Sequence, residues 1–276
     1  TKQKARQLLS PGYNSCAGCG EMIAIRAVAN ALGPNTIIVN ATGCSEVTTT
    51  LYPQSSWGMP WIHSLFENTS AVASGIRAAL DYKEKHPTPS LPFARGGGAS
   101  PSLRRRGLGA VNVVAQGGDG ATFDIGLGLI SGMWERGDDV LYICYDTESY
   151  SNTGRQASGA TPWGANTPTT PAGKPETMEG IGFHQKTKDM IAIALAHGLN
   201  YVAQTSAGFP LDIEKKVKKA LAIRGPKYIQ ILTPCVPGWL IDTSQTVKMG
   251  KLAAQTGLYP ILEFIDGKLV NALKIP

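Results

Sequence analysis

Apolar residues in this chain form short continuous runs that alternate with longer segments of helical periodicity. Recurrence every three or four positions predicts an amphipathic helix, and an unbroken run of four to eight residues predicts a buried strand. The predicted helices are Glu21–Leu32, Asn68–Lys85, Phe123–Arg136, Met190–His197, Leu211–Ile223 and Val247–Gln255. The predicted strands are Thr36–Val39, Ala110–Ala115, Val140–Tyr145, Tyr201–Gln204, Tyr228–Leu232 and Ile261–Phe264, the last as an edge strand.

This alternation of helices and strands predicts an α/β fold. The strands are continuously apolar, which is typical of a mostly parallel sheet with helices on both faces. No shift in composition divides the chain, so we expect a single domain over residues 1–276. Two stretches rich in Gly, Pro and polar residues predict long loops, Ala94–Gly109 and Ser151–Lys174. A loop as long as the second is uncommon unless it is functional.

The composition is that of a globular protein, with 42% hydrophobic and 17% charged residues. No apolar run approaches the roughly 20 residues of a membrane span, and no secretory leader is recognisable. We therefore expect a cytoplasmic protein without a membrane partner. The formal net charge of +6 would suit nucleic-acid binding. However, the basic residues are spread along helices except at Arg104–Arg106, a pattern that favours a solvated surface or an acidic protein partner over nucleic acid.

The sequence Gly118-Asp119-Gly120 stands between a predicted strand and a predicted helix. Glycines let backbone N–H groups approach a phosphate closely, and a helix start presents free N–H groups and partial positive charge. Asp119 would repel a phosphate unless a divalent cation such as Mg²⁺ lay between them. A tight turn without any ligand is the alternative.

A second oxygen-rich loop, 146–154, follows the next predicted strand. Twenty-eight residues separate Asp119 from Thr147 (147 − 119 = 28), which is enough for one helix and one strand. Ligands of parallel sheets bind at the carboxyl ends of the strands. The two loops are therefore expected to lie close together.

Four of the five cysteines lie in predicted loops. Cys16 and Cys19 form a Cys-x-x-Cys pair, whereas Cys44 and Cys235 each follow a predicted strand. Such a pair in a cytosolic chain indicates metal or redox chemistry. Four thiolates suit either structural zinc or a 4Fe–4S cluster, the spacing does not choose between them, and unligated cysteines are the third alternative. Cys144 lies inside an apolar strand and is expected to be buried.

Taken together, these motifs resemble a known family. Thiamine-diphosphate enzymes carry a motif that begins Gly-Asp-Gly and ends in an Asn-containing loop about one βαβ step later. Here that loop reads Asp-Thr-Glu-Ser-Tyr-Ser-Asn-Thr-Gly, and Cys-Ala-Gly-Cys-Gly, Ala-Thr-Gly-Cys and Pro-Cys-Val-Pro-Gly-Trp accompany it. From about Cys16 to Glu263 the chain resembles the thiamine-diphosphate-binding beta subunit of the pyruvate:ferredoxin oxidoreductase family. Ile62–Asn68 and Thr170–Lys174 add to the likeness.

The resemblance implies a set of site residues. Asp119 and Thr147 would ligate Mg²⁺ by their side chains and Ser149 by its carbonyl, while Asn152 would be catalytic beside the reactive thiazolium carbon. Cysteines would hold one 4Fe–4S cluster: Cys16, Cys19, Cys44 and Cys235. The remaining residues expected at the cofactor are Glu21, Cys44, Gly118, Gly120, Ala121, Glu148, Tyr150 and Ser151. His63, beside aromatic residues, is expected to be structural rather than an acid or base.

The resemblance also implies an activity. A small 2-oxoacid, pyruvate before others, would be oxidatively decarboxylated, with electrons passing to the cluster and then to an acidic ferredoxin. Coenzyme A would take the acyl group. A pyrimidine-binding subunit and a ferredoxin-like subunit are expected as partners, so the chain would be inactive alone.

Alternatives to this activity remain. Arg155 departs from the family pattern and leaves oxalate as a second substrate, with or without coenzyme A. A non-oxidative thiamine decarboxylase or synthase would contain no iron. A zinc-stabilised nucleic-acid-binding protein would contain zinc and no thiamine.

Overall fold

Strands and helices mostly alternate along the chain, which a computed structural model describes over residues 8–86, 111–173 and 180–275. In chain order the elements are α1 (Gly20–Leu32), β1 (Thr36–Ala41), α2 (Cys44–Thr49), β2 (Trp61–Ser64), α3 (Thr69–Lys85), β3 (Asn112–Gly118), a π-helix (Gly120–Ile125), α4 (Leu127–Glu135), β4 (Leu141–Asp146), α5 (Met190–Ala196), β5 (Tyr201–Ser206), α6 (Pro210–Ala222), β6 (Lys227–Leu232), α7 (Val236–Trp239), α8 (Thr246–Gln255), β7 (Leu262–Ile265) and β8 (Lys268–Ala272).

The described strands form one eight-stranded sheet in the order β2-β1-β3-β4-β6-β5-β7-β8. Neighbouring strands from β2 to β5 in this order pair in parallel. β7 pairs antiparallel with β5, and β8 pairs antiparallel with β7. The predicted α/β class with a mostly parallel sheet is confirmed. The prediction of Ile261–Phe264 as an edge strand is wrong, because the strand at Leu262–Ile265 pairs on both sides and β8 forms the edge.

Successive residues of the central strands point to opposite faces of the sheet, and each face has its own core. On one face Ile38, Val114 and Ile143 pack with α1 and α6. On the other face Val39 and Tyr142 pack with α3, α4 and α5. Because both faces are covered, β1, β3 and β4 can be apolar at nearly every position. This explains why their continuous runs are visible in the sequence.

The helix predicted at Phe123–Arg136 begins earlier and in a different form. A π-helix starts at Gly120, directly after β3, and α4 follows it. Gly126 lies between them, where a β-carbon would overlap the carbonyl oxygen of Ala121. Single π turns inside helical segments occur often at functional sites.

Parts of two loop predictions lie outside the described residues. These are Ala94–Gly109, with Arg104–Arg106, and Lys174 at the end of the second loop; Ala110, the first residue of a predicted strand, lies outside them as well. Between residues 151 and 173 the chain forms turns and isolated bridges rather than helices or strands, as predicted. Among the described helices, none has the length and apolarity to cross a membrane.

An ion pair joins the segment before β4 to β6 at the amino edge of the sheet. The Lys227 ammonium, whose side chain is 5% exposed, contacts the Asp139 carboxylate, and Arg224 Nη1 lies 2.7 Å from the second carboxylate oxygen. Burial would raise the pKa of Asp139, but hydrogen bonds and charges from Lys227 and Arg224 outweigh it and hold that pKa below its usual value. Burial lowers the pKa of Lys227, and Asp139 opposes this.

Asp139→Ala is expected to lower the free energy of unfolding by about 3 kcal/mol at pH 7, because the buried Lys227 loses its charged partner. Since the pKa of Asp139 is depressed in the fold, its contribution is present above the ordinary carboxyl pKa of about 4 and is lost as the pH falls further. Urea unfolding of the wild type and of Asp139→Ala, at pH 7 and at pH 4 and below, would measure the difference between their free energies of unfolding. This difference is expected to become smaller as the pH falls. Asp138→Ala, which removes a surface pair with Arg136, is the control, and its expected effect is below about 1 kcal/mol. An equal loss in both variants would contradict the assignment.

Candidate functional site

The two oxygen-rich loops meet at the carboxyl edge of the sheet. β3 and β4 are neighbours, with Gly118 opposite Tyr145, so Asp119 and Thr147 leave the sheet side by side. The Thr147 hydroxyl lies 3.0 Å from Asp119 Oδ1 and 2.9 Å from the Ser149 carbonyl oxygen. The expected closeness of the two loops is confirmed. A carboxylate, a hydroxyl and a carbonyl thus converge, and these are oxygen ligands of the kind that Mg²⁺ takes.

Acidic side chains are crowded at this edge. Burial, followed by repulsion from Asp146, raises the pKa of Asp119 to about 8, although the Ser158 and Thr147 hydroxyls donate to its carboxylate. Burial raises the pKa of Asp146 to about 6. Burial and the charges of both aspartates raise the pKa of Glu148 to about 8. A divalent cation beside Asp119 would supply the positive charge that such buried carboxylates need.

A cavity of about 370 Å³ opens over these two loops. Ten predicted residues line it: Glu21, Cys44, Gly118, Asp119, Gly120, Thr147, Ser149, Tyr150, Ser151 and Asn152. Two predicted residues do not line the cavity. Ala121 is buried in the first turn of the π-helix, and Glu148, which follows Thr147, has its backbone in the left-handed region. The other lining residues, which lie mostly in the quoted motifs but were not predicted at the cofactor, are Thr42, Gly43, Leu65, Phe66, Glu67, Tyr145 and Thr153.

Tyr150 lines this cavity, and a hydrogen bond to Asp124 holds its hydroxyl group in place. Its hydroxyl donates to Asp124 Oδ2 at 2.8 Å, and Lys188 Nζ donates to the other oxygen of Asp124 at 2.6 Å. The Tyr150 ring lies against the backbone of Gly120, where a β-carbon would overlap it. Gly120 is therefore required by close packing as well as by access to its N–H group.

Gly120→Ala is expected to weaken binding of a diphosphate cofactor roughly tenfold to a hundredfold. The methyl group would displace the Tyr150 ring, and overpacking of this kind costs about 1–3 kcal/mol. Titration of the assembled protein with the cofactor would measure the change. Gly128→Ala in α4 is the matched control, because its β-carbon would meet open space. Unchanged affinity in Gly120→Ala would show that the close contact with Tyr150 is not required.

A second cavity, of about 260 Å³, adjoins the first and is lined by the four loop cysteines. Cys16 and Cys19 lie just before α1, Cys44 is the first residue of α2, and Cys235 precedes α7, where its sulfur accepts from the Gly238 N–H at 3.3 Å. Burial, with the nearby charge of Glu21, raises the pKa of Cys19 to about 12 and that of Cys44 further. In the described chain, no three His, Cys, Asp or Glu side chains converge where one metal ion could bind them. Cys144 is fully buried in β4, as predicted.

The two cavities share a wall. The residues that line both are Glu21, Cys44, Thr147, Ser151 and Asn152. Asn152 Nδ2 lies 3.6 Å from Cys44 Sγ, which places the amide of the second loop against a thiol of the cysteine cavity. Burial raises the pKa of Glu21 to about 7. A group bound in one cavity would therefore lie next to a group bound in the other.

Two supports of the site lie in segments that the sequence singled out, although neither residue was itself predicted at the site. Ser158, in the long loop, donates to Asp119 Oδ2 at 2.5 Å, and Trp239 Nε1 donates to the Thr147 carbonyl at 3.0 Å. His63 lies outside the cavity walls, with Nε2 2.7 Å from the Thr42 hydroxyl. Arg155 has a left-handed backbone, with φ of 74°, and does not line the cavity.

Comparison with known proteins decides between the classes of protein that the sequence left open. Residues 41–231 match the family model of the thiamine pyrophosphate enzyme C-terminal TPP-binding domain. The pyruvate synthase subunit PorB of Methanothermobacter marburgensis is 46% identical over 261 residues, which cover 95% of this chain and 81% of the relative. PorB of Methanosarcina barkeri is 45% identical over 275 residues, covering 100% of this chain and 84% of the relative.

The chain belongs to the PorB family of thiamine-diphosphate-binding oxidoreductase subunits. The resemblance inferred from the sequence motifs is thereby confirmed, and so is the class of enzyme. A relative named for a different substrate is also similar. The ketoisovalerate oxidoreductase subunit VorB of Pyrococcus abyssi is 40% identical over 260 residues, covering 93% of this chain and 76% of the relative.

A solved structure supports the fold. The 2-oxoglutarate:ferredoxin oxidoreductase of Magnetococcus marinus, with 2-oxoglutarate, coenzyme A and succinyl-CoA bound, covers 91% of this chain and 81% of its own, with a TM-score of 0.62. The sequence identity of 21% is low. This likeness therefore concerns the α/β architecture and not the substrate.

Proposed function

We propose that this PorB-family chain is the subunit of a pyruvate:ferredoxin oxidoreductase that holds thiamine diphosphate, Mg²⁺ and one 4Fe–4S cluster. The observation that carries the proposal is the wall shared by the two cavities, where Asn152 contacts Cys44. An oxidative thiamine enzyme has to pass electrons from the cofactor to an acceptor. A cofactor cavity and a cysteine cavity with a common wall suit that transfer.

The residues at the strand ends fit a Mg²⁺–diphosphate group. Asp119, Thr147 and the Ser149 carbonyl would hold the cation, and Gly118 and Gly120 would let backbone groups approach the diphosphate. This fit to a cation rests on the buried carboxylate of Asp119. Its described side-chain partners are the Thr147 and Ser158 hydroxyls, which carry no positive charge, so a bound cation would balance its negative charge. The proposed Mg²⁺ site uses one carboxylate, one hydroxyl and one carbonyl oxygen. It therefore agrees with the finding that, among the described residues, no three His, Cys, Asp or Glu side chains converge on one metal ion.

Thiamine diphosphate, when bound, supplies the carbanion chemistry that decarboxylates a 2-oxoacid. The chain's own residues shape the cavity for it. Leu65, Phe66 and Tyr145 add apolar surface to its lining, and Asn152 places its amide at the boundary with the cysteine cavity. An amide there can hydrogen-bond to a carboxylate or keto oxygen of the substrate.

The cysteine cavity suits an iron–sulfur cluster better than zinc. Zinc would draw four sulfurs to about 2.3 Å from a single point, whereas three such side chains of the described chain do not converge on one ion. A 4Fe–4S cluster is larger, so four thiols around a cavity of about 260 Å³ fit it. The backbone N–H that Gly238 donates to Cys235 is the type of hydrogen bond that tunes cluster potentials.

Pyruvate is the proposed substrate because the most similar relatives reported above are pyruvate synthase subunits. The likeness to VorB makes a branched-chain 2-oxoacid the second candidate. The position of Arg155 away from the cavity lends oxalate no support. A pyrimidine-binding subunit, a ferredoxin-like subunit, an acidic ferredoxin and coenzyme A are the proposed partners, in a cytoplasmic complex, with this chain as a single domain.

The test is to co-express the chain with its partner subunits and purify the complex without oxygen. About four irons per chain, in addition to those of the ferredoxin-like subunit, and one thiamine diphosphate per chain are expected, with ferredoxin reduction that depends on pyruvate and coenzyme A. Parallel assays with 2-oxoisovalerate and oxalate would rank the substrates. Zinc in place of iron would contradict the proposal, and turnover of pyruvate without any electron acceptor would favour a non-oxidative enzyme.

A further inference from the structure

Three buried polar side chains on neighbouring strands, and a fourth on the adjoining helix, form a row near the two cavities. They are Tyr145 on β4, Gln116 on β3, Asn40 on β1 and Ser45 in the first turn of α2, and each is at most 2% exposed. Around them the same strands carry apolar residues. We call these four residues the amide relay.

The amide relay is hydrogen-bonded from end to end. The Tyr145 hydroxyl donates to Gln116 Oε1 at 3.1 Å, and Gln116 Nε2 donates to Asn40 Oδ1. Asn40 Nδ2 then donates to the Ser45 hydroxyl at 3.0 Å and to the Ala41 carbonyl at 2.6 Å. Both amides therefore use their oxygen and their nitrogen within the network, which gives each side chain one orientation.

One end of the amide relay reaches the thiamine cavity, and the other end lies next to Cys44 in the chain. Tyr145 lines the thiamine cavity. Ser45 directly follows Cys44, which lines both cavities. One buried network thus connects the cofactor wall with the segment that presents Cys44.

Stability alone does not account for these residues. A buried amide without a partner costs about 1–3 kcal/mol, whereas an apolar side chain at the same position carries no such risk. A fully paired buried network instead makes a region rigid. The groups that orient a metal ligand also tune its site, and their loss typically lowers activity tenfold to a hundredfold.

We propose that Gln116 and Asn40 are positioning residues: they fix Cys44, through Ser45, relative to the thiamine cavity and thereby set the rate of electron transfer between the two cavities. The inference rests on the proposed function, since it requires a cofactor in one cavity and a cluster in the other. It assigns a role to residues that touch neither group.

Gln116→Leu in the assembled complex is the first test, because leucine fills similar space and cannot hydrogen-bond. Iron and thiamine diphosphate are expected to stay at the wild-type content. The electron paramagnetic resonance spectrum of the reduced cluster is expected to change, and the rate of cluster reduction after mixing with pyruvate is expected to fall at least tenfold. Gln204→Leu, a buried glutamine on β5, three strands away from β3, is the control that should change neither.

Gln116→Glu tests the hydrogen bonds themselves. Burial keeps such a glutamic acid protonated, so one oxygen can accept from Tyr145 and the hydroxyl can donate to Asn40. The spectrum and rate are expected to return toward the wild type. If Gln116→Leu does not fold, Tyr145→Phe removes only the hydroxyl at the cofactor end and is expected to change the spectrum in the same direction.

A normal spectrum and a normal rate in fully loaded Gln116→Leu would overturn the inference. If that variant does not fold, a normal spectrum and rate in Tyr145→Phe would do so. These results differ from failure of the proposed function, which would show as missing thiamine diphosphate or missing iron in the wild-type complex.

Discussion

Asp119→Ala is expected to abolish Mg²⁺-dependent binding of thiamine diphosphate while leaving the iron content of the complex nearly unchanged. Asp119 contributes the only carboxylate of the proposed Mg²⁺ ligand set, and its hydrogen bonds order Thr147 and Ser158. Loss of the carboxylate removes both the charge and this order. The expected loss of affinity is at least about a hundredfold, which corresponds to about 3 kcal/mol.

The measurement is a titration of the assembled, anaerobic complex with thiamine diphosphate at fixed Mg²⁺, together with iron analysis. Asp138→Asn, a substitution in a surface ion pair, controls for loss of an aspartate and should bind normally. Asp119 lines the thiamine cavity but not the cysteine cavity, so iron should remain. Loss of both cofactor and iron would mean that the two sites are not separable in this way.

Cys235→Ala is expected to remove most of the cluster iron and to abolish ferredoxin reduction. Cys235 presents its sulfur to the cysteine cavity from the end of β6, and three thiolates would leave one iron without a protein ligand. Iron analysis and the visible absorption of the cluster would measure the loss. Thiamine diphosphate should still bind, because Cys235 does not line that cavity.

Cys144→Ala is the matched control, since Cys144 lies fully buried among apolar residues of β4. It should retain its iron and lose about 1–3 kcal/mol of stability through the cavity left by the sulfur, which thermal unfolding would detect. Clear loss of iron from Cys144→Ala, or full iron in Cys235→Ala, would show that the four ligands are chosen wrongly.

The features that could be predicted from the sequence are those with a repeating or compact pattern. β1, β3 and β4 carry continuous apolar runs because both of their faces are buried, so these strands and the closeness of Asp119 to Thr147 could be predicted. β8 carried no such pattern, because all five of its residues are exposed. β2, with two of its four residues exposed, was missed for the same reason.

Much of the support around the site could not be predicted, because it depends on contacts between distant segments. Ser158 lies 39 residues from Asp119 and belongs to a loop without regular structure. Asn40 and Gln116 are single polar residues within apolar strands, and only the register of β1 with β3 shows that they are neighbours. The roles of the site residues remain predictions until the variants are measured.

The four cysteines around one cavity have a consequence for how the protein is made. Cys16 and Cys235 are 219 residues apart in the chain (235 − 16 = 219), yet both line that cavity. At about 5–20 residues per second, a ribosome needs roughly 11–44 seconds to travel from one codon to the other. Throughout that interval a nascent chain would expose unligated thiols and could not enclose a cluster. Iron insertion is therefore expected to follow completion of β6, as a late step in biogenesis.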